Sequence, residues 1–465
     1  MSSDARPERA SVRLSPRTIV LYAVGSLGTG GYATLPGLVL TYFLTDNLGV
    51  AALAAGLIVT AAKIWDVIID PLIGAASDRQ LARTGSRRGF MMTGALTLPL
   101  FFALTFAVPP SWGPAAGATC VLLAFLATAT AFSLFQVPYV ALPAELTGSY
   151  DERSRLLGWR VVVLTAAILM FGAGGPALRR AGSDPVAGYL LMGVVAGVVI
   201  GAGMFIAART AVAGAKGASR TAAPPAGIRE QYLAGFRALG RSIPFRALLG
   251  TFLLQALATG TMLAGAQYVA TWVLRSEDAV TFVFIALVGP ALLAAPGWTT
   301  FARRLGKERA FMIASVLFTL AAASTTAAVW APGPWIYASV AVAGVAYAGL
   351  QALPMAMLPD VISHDERTHG AGQAGTFTGV WTAGETVGFA LGASAVSLTL
   401  AATGYVSTVA GASVEQPDAA ITGIVLSFSI LPAVLMAASL LTLRGYRLRR
   451  ADIDEAPARI RDPHA

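Results

Sequence analysis

The sequence predicts an all-α membrane protein with twelve transmembrane helices in two six-helix halves. Three observations support this prediction: a composition that is 56% hydrophobic and 12% charged, twelve long apolar runs, and a basic stretch midway along the chain. Soluble domains carry about twice this charged fraction. Glycine and proline recur inside the runs, as is typical of packed membrane helices, so we expect a lipid-embedded helix bundle and no barrel.

Each apolar run is long enough to cross a hydrocarbon core of roughly 30 Å, which takes about 20 helical residues. The first run follows a polar, arginine-containing stretch and is too long for a signal-peptide core, so we expect it to be retained. The predicted spans lie at 17–45, 50–76, 90–108, 115–143, 157–178, 186–208, 245–273, 279–301, 310–330, 334–358, 374–402 and 419–443.

Basic residues predict the orientation, because Lys and Arg in short loops stay on the cytoplasmic side. With the N terminus inside, the outer loops hold only Arg179, Arg180 and Arg275 of the 33 Lys and Arg residues, and Lys63 lies within a span. We therefore expect a plasma-membrane protein with both termini in the cytoplasm.

A Gly/Ala/Pro-rich, basic stretch divides the chain and reads as a linker. The predicted domains are an N-terminal six-helix half over 1–208, a cytoplasmic linker over 209–244, a C-terminal six-helix half over 245–450 and a cytoplasmic tail over 451–465. Two such halves are typical of transporters that bind a solute at their interface near mid-membrane and rock between two open states.

Composition also excludes several classes of function. The single cysteine, Cys120, rules out internal disulfides, and three histidines, with no metal-ligand spacing, phosphate loop or nucleophile elbow, argue against an enzyme or a cofactor. The basic residues are spread over short loops, so we expect no nucleic-acid partner. The expected partners are the lipid bilayer, a small-molecule substrate and a coupling cation, and we expect a monomer.

The central motif is Lys63-Ile-Trp-Asp66-Val-Ile-Ile-Asp70-Pro71 in the second span. Helical spacing places Lys63, Asp66 and Asp70 on one face. Ionisable side chains at this depth cost several kcal/mol or more and are usually turned toward a partner or a watery cavity, so they indicate function. A structural ion pair that only holds helices together is the alternative interpretation.

Several motifs resemble a known family. Gly74-x-x-x-Asp78-Arg79 followed by Arg87-Arg88 is similar to the loop signature of the major facilitator superfamily, which implies the major facilitator fold. Trp65-Asp66-x-x-x-Asp70-Pro71, Gln136-Val-Pro138-Tyr139 with Glu145 and Asp151-Glu152-Arg153-x-Arg155, and Asp360-Val-Ile-x-x-Asp365-Glu366 with Gly379-Val-Trp381 resemble the glycoside-pentoside-hexuronide:cation symporters.

The resemblance implies a cation-coupled symporter of a glycoside-like or other small polar solute, with Asp66 and Asp70 as cation ligands and Arg160 at the sugar site. This sequence departs from the family where Gln136 replaces a third acidic ligand and Val140 replaces a sugar-stacking tryptophan. An aspartate expected in span one falls near Gly30, and a lysine expected in span eleven falls at Thr386, beside Glu385.

The candidate site residues fall into three groups. The predicted cation-binding residues are Asp66, Asp70, Gln136 and Lys63, with Asp66 and Asp70 as metal ligands only if sodium is the coupling ion. The predicted substrate-binding residues are Arg160, Glu385, Trp381, Tyr139 and Gln267, and the gating motif comprises Gly74, Asp78, Arg79, Arg87 and Arg88.

Several alternatives stay open at this point. Sodium and a proton fit the carboxylates equally well, Glu385 could be a protonated structural glutamate, and Arg160 could be an anchor at the membrane surface. Export of an amphipathic metabolite or drug is the alternative transport function. A non-transporting membrane sensor or scaffold is the alternative from another class.

Overall fold

A computed structural model describes residues 13–147, 149–211, 239–369, 374–412, 414–446 and 448, which are almost wholly helical. Most of the predicted linker (212–238) and the whole predicted tail (451–465) lie outside these residues. The helices are α1 Pro16–Val24, α2 Ser26–Tyr42, α3 Ala52–Thr84, α4 Arg88–Phe106, α5 Pro114–Leu146, α6 Tyr150–Arg180, α7 Pro185–Ala208, α8 Ile243–Tyr268, α9 Ala279–Leu305, α10 Lys307–Ser324, α11 Ile336–His369, α12 Ala374–Ala402, α13 Asp418–Phe428 and α14 Ile430–Leu443.

Within the described ranges, eleven helical segments are long and apolar enough to cross a membrane. The twelfth span is built from α1 and α2, which meet at Gly25 and are each too short to cross alone. Gly25 keeps a right-handed helical conformation, so the two pieces follow one another directly. The twelve-span prediction is therefore confirmed, and the chain is an all-α membrane protein.

Several helices extend beyond the apolar run that predicts them. The second span was expected at 50–76, but α3 continues to Thr84, where Gly85 caps it with φ +71°. A left-handed glycine after the last helical residue is a common helix ending. The charged final turns of α3 therefore carry Asp78 and Arg79 of the gating motif beyond the apolar run.

The bundle has two ends. We call the end where α3 and α9 finish, at Thr84 and Leu305, the linker end, because the chain between α7 and α8 also leaves from it. The opposite end, where α3 and α9 begin, is the far end. The most extensive contacts between described helices of the two halves are those of α3 with α12, α6 with α9, and α2 with α8.

Candidate functional site

The charged motif of α3 folds as its spacing predicts. Lys63 Nζ lies 3.0 Å from Asp66 Oδ2, and Asp66 is only 6% exposed. The Lys63 ammonium also lies 4.7 Å from the centre of the Tyr32 ring on α2. A half-buried cation over an aromatic face is favourable. The pair thus lies between two helices of the N-terminal half.

Three buried oxygens of this cluster have no hydrogen-bond partner among the residues that the structure describes: Asp66 Oδ1, Asp70 Oδ1 and the Tyr32 hydroxyl. Asp70 interacts electrostatically with Asp66, Lys63 and the Ser133 hydroxyl. Buried polar atoms are nearly always hydrogen-bonded, and leaving them unpartnered costs free energy. Two acids face one base here, and their free oxygens are chemically suited to hold a cation or a proton.

Gln136 lies on the same side of α5 as Ser133, one helical turn further along. Its Oε1 accepts a hydrogen bond from Thr29 Oγ1 on α2 at 2.8 Å. The structure thus brings Gln136, Asp70 and Lys63 into the same three-helix region of α2, α3 and α5. This is the part of the predicted site that converges.

Arg160 on α6 packs on Tyr139, with its guanidinium carbon 5.4 Å from the ring centre. Its Nε is buried, and no described residue accepts a hydrogen bond from it. Tyr139 itself is fully buried. Its hydroxyl donates to the Tyr22 carbonyl at 2.9 Å, and its ring stacks on Tyr22. Tyr139 therefore contacts Arg160 from a buried position between the helices. A solute could not reach its ring in this conformation.

The C-terminal half contributes Glu385, which is half-buried on α12 and acts electrostatically on Tyr347 of α11. The Tyr347 hydroxyl accepts a hydrogen bond from Gln351 at 2.9 Å. Trp381 and Gln267 lie deeper in the same half. Trp381 is 1% exposed, and Gln267 is fully buried.

The packing of these two residues is internal to the C-terminal half. The Trp381 ring stacks on Phe252 with centres 4.2 Å apart, and Gln267 Nε2 donates to Thr271 at 3.1 Å. Trp381 Nε1 and Gln267 Oε1 are buried without a hydrogen-bond partner. Both side chains therefore retain unused hydrogen-bonding capacity, although neither is open to solvent here.

A contact between the halves fixes the depth of the two carboxylates. The Thr60 hydroxyl on α3 hydrogen-bonds the Ser394 hydroxyl on α12. Asp66 lies six residues beyond Thr60 toward the linker end, and Glu385 lies nine residues from Ser394 in the same direction. At 1.5 Å per residue these separations are roughly 9 Å and 13 Å. Each half thus places one carboxylate on the linker-end side of this contact.

The predicted gating motif forms an ion-pair network. Arg87 lies 2.5 Å from both Asp78 and Glu145 and donates to Ser77 at 2.8 Å. Burial alone would lower the pKa of Arg87, but the hydrogen bonds to Glu145 and Asp78 outweigh it, and the net pKa is raised. Arg87 is therefore charged at every working pH and joins α3 to α5.

The other members of the motif are less involved. Arg79 and Arg88 are exposed, and Gly74 lies against Val137 of α5. In the C-terminal half, Lys307 plays a part similar to that of Arg87. Its ammonium lies 2.5 Å from Asp360 of α11 and donates to the Ala356 carbonyl.

Sequence reasoning missed a half-buried carboxylate, Asp46, at the far end. It accepts a hydrogen bond from Tyr405 at 2.6 Å. The available signal was a lone aspartate just after the first apolar run. An aspartate at this place is by itself a weak signal, because residues beyond a span are normally hydrated.

Comparison with known proteins places the chain in a family. Residues 21–450 match the MFS/sugar transport protein family. A glucuronide carrier protein homolog of Escherichia coli is 24% identical and aligns over 94% of this chain and 93% of its own length. The sphingosine-1-phosphate transporter of Mus musculus is 27% identical over 77% of this chain and 75% of its own length.

Among solved structures, the inward-open xylose transporter of E. coli has the same fold, with a TM-score of 0.63 and 14% identity over 94% of this chain and 97% of that one. The family match covers far more than half of the chain, and the relatives are carriers. The protein is thus a multi-pass membrane transporter of small solutes and not an enzyme. It belongs to the MFS/sugar transport protein family and resembles the glycoside-pentoside-hexuronide:cation symporters within the major facilitator superfamily.

Proposed function

We propose that the protein is a cation-coupled symporter that carries a small, polar, glycoside-like solute by alternating access. The observation that carries this proposal is the buried pair of acids on α3 with unpartnered oxygens beside a single lysine. Such a cluster has a surplus negative charge that a sodium ion or a proton would neutralise. Sodium would take oxygens of Asp66, Asp70 and Gln136, whereas a proton needs one carboxylate.

The proposed solute site lies between the halves, on the linker-end side of the Thr60–Ser394 contact. Arg160 would supply a donor for an anionic or hydroxyl-rich solute, and Glu385 would supply an acceptor from the other half. The glucuronide carrier homolog supports a sugar derivative as the solute. Because basic residues are abundant at the linker end, we further propose that this end faces the cytoplasm of the cell.

The test is uptake into proteoliposomes with Asp66→Asn, scanning glycosides, uronides and amphiphilic compounds with and without a sodium or proton gradient. Asp66→Asn keeps the shape of the side chain but removes the charge, so gradient-driven uptake should be lost. Asp418→Asn, at an exposed position at the far end, is the matched control and should transport normally. Undiminished uptake by folded Asp66→Asn protein would refute the coupling role.

Export of an amphipathic compound is the second candidate function. It is favoured by the similarity to the mouse sphingosine-1-phosphate transporter and by Val140, which is 52% exposed where the sugar symporters have a stacking tryptophan. Accumulation of amphiphiles in cells with and without the protein would separate the two functions. An exporter lowers the cellular content, and a symporter driven inward raises it.

A further inference from the structure

Backbone pairing between the two halves closes the far end of the bundle. Thr408 N–H donates to the Thr45 carbonyl at 2.8 Å, and Ala410 N–H donates to the Asn47 carbonyl at 3.1 Å. These bonds join the end of the first span to the chain that follows α12, around an isolated antiparallel bridge between Leu48 and Val409. We call residues 43–48, 268–273 and 405–410 the far-end gate.

Asp46 lies at the centre of this gate. Its Oδ1 accepts from the Tyr405 hydroxyl at 2.6 Å, and its Oδ2 accepts from the Thr45 hydroxyl at 2.5 Å. Tyr405 in turn accepts from Trp272 Nε1 at 2.8 Å. Asp46 belongs to the N-terminal half, and Tyr405 and Trp272 belong to the C-terminal half. The chain of hydrogen bonds therefore crosses the boundary that must open during transport.

A second link crosses the boundary beside the first. The hydroxyls of Thr45 and Tyr268 lie 2.7 Å apart, and the Tyr268 ring contacts the Tyr405 ring edge-on. Further out, Arg179 of α6 lies 3.2 Å from Glu277 in the C-terminal half. Glu277 is largely exposed, so this outer ion pair contributes little. The bonds to Asp46 are the stronger ones, because they are short and better shielded from water.

The same gate contains a feature that opposes closure. Asn47 is only 2% exposed, and both polar atoms of its amide lack a hydrogen-bond partner within the described part of the chain. An unpartnered buried amide destabilises the state that buries it, and water would satisfy it once the halves separate. Asp46 and Asn47, adjacent in sequence, thus act in opposite directions on the same equilibrium.

We propose that Asp46 is the latch of the far-end gate: its hydrogen bond to Tyr405 stabilises the far-end-closed state and has to break before a solute can pass at that end. Asn47 makes the far-end-closed state less stable, so that less free energy is needed to open it. Asp46 is a positioning residue in this scheme. It sets the balance between the two open states and does not touch the solute.

The test measures far-end opening directly. Ser397 is fully buried against Gly56 of the other half, so Ser397→Cys in a Cys120→Ala background gives one thiol that opening exposes. Its labelling rate is measured with a membrane-impermeant maleimide in vesicles of both orientations. Tyr405→Phe, which removes one hydroxyl, should speed labelling from the far side about tenfold, as expected for losing one internal hydrogen bond.

Two matched variants separate the latch from general loosening. Tyr337→Phe makes the same change at the same end of the bundle, where the ring packs on Phe282 within one half, and it should leave the labelling rate unchanged. Asn47→Leu removes the unpartnered amide and should slow labelling several-fold. Equal rates for Tyr405→Phe and the parent protein, or faster labelling of Asn47→Leu, would overturn the proposal.

A reversible lock gives an independent readout. Leu48 and Val409 lie directly opposite each other, at a separation that a disulfide can span. Oxidising the Leu48→Cys/Val409→Cys pair should stop solute exchange, and reduction should restore it. Full exchange by the oxidised protein would show that this gate does not open. Because labelling needs neither solute nor cation gradient, a failure of the latch is distinguishable from a failure of the proposed symport.

Discussion

Lys63 and Asp66 form an ion pair one turn apart on α3, with Nζ 3.0 Å from Oδ2, and the second oxygen of Asp66 stays buried without a partner. The lysine thus already occupies one side of the carboxylate that we assign to the coupling cation. A resident ammonium and an incoming cation would compete for the same charge. This competition leads to the first prediction.

Replacing Lys63 with Gln removes the competing charge. A nearby opposite charge weakens the affinity of a carboxylate for a cation by about tenfold or more. Without Lys63 we therefore expect half-maximal uptake at a cation concentration that is lower by about the same factor. Release of the cation should become slower, so maximal turnover should fall. Lys307→Gln, which breaks an ion pair at the linker end, is the control. An unchanged cation dependence would mean that Lys63 does not compete.

Gln136→Glu adds a third carboxylate to the cation cluster. The Thr29 hydroxyl can donate to a carboxylate as it does to the amide, so the local geometry should be retained. We expect about tenfold tighter sodium binding, since a hard cation prefers charged oxygen ligands. Isothermal titration of the purified protein measures this directly. Gln351→Glu, in the other half, should leave sodium binding as it is, and the same gain in both variants would contradict a local site.

Gly56→Val tests the close approach of α3 and α12. A Cβ at this position would lie 2.5 Å from the Ser397 Cβ, which is too close without a shift of one helix. Overpacking of this kind costs about 2 kcal/mol. It should therefore destabilise the far-end-closed state relative to the far-end-open state, and transport should fall. Gly174→Ala, where an added Cβ meets nothing within 4 Å, should behave as the parent protein. Protease accessibility at the far end provides the measurement.

Asp184 provides a pH-dependent prediction outside the spans. Its carboxylate accepts from the Ala187 N–H at 3.0 Å at the start of α7, and this hydrogen bond, together with that from Ser183, lowers its pKa from the usual 3.8. A lowered pKa in the folded state stabilises the protein above the unfolded pKa, and the gain disappears as pH falls through the folded one. Asp184→Ala should therefore lower Tm at neutral pH.

The Tm difference between Asp184→Ala and the parent protein should shrink as the pH falls below about 4, because both then lack the charged cap. A difference that stays constant down to strongly acidic pH would show that the carboxylate charge contributes nothing. Asp184→Asn, which can still accept the hydrogen bond at the helix start, should lie between the two.

The sequence predicts the spans well because crossing a bilayer requires long apolar runs, and Lys63, Asp66 and Asp70 face one side because their spacing is helical. It could not predict that Tyr139 and Trp381 pack inside their own halves, since an aromatic side chain fits a core and a cavity equally well. The sequence also could not predict the far-end gate, because Asp46 and Tyr405 are separated by 359 residues. Such pairings depend on how the halves dock.

The turns that end the first span of each half, Phe43–Asn47 and Val269–Val273, are π-helical. A π-turn holds more residues than an α-turn, so side chains after it point in a different direction from those of an uninterrupted helix. Shortening the first turn by one residue would straighten the helix, yet it would swing Asp46 away from its phenol partner. The wide turn therefore sets the direction in which Asp46 points. Inserting or deleting a residue in this turn should be tolerated less well than substituting one.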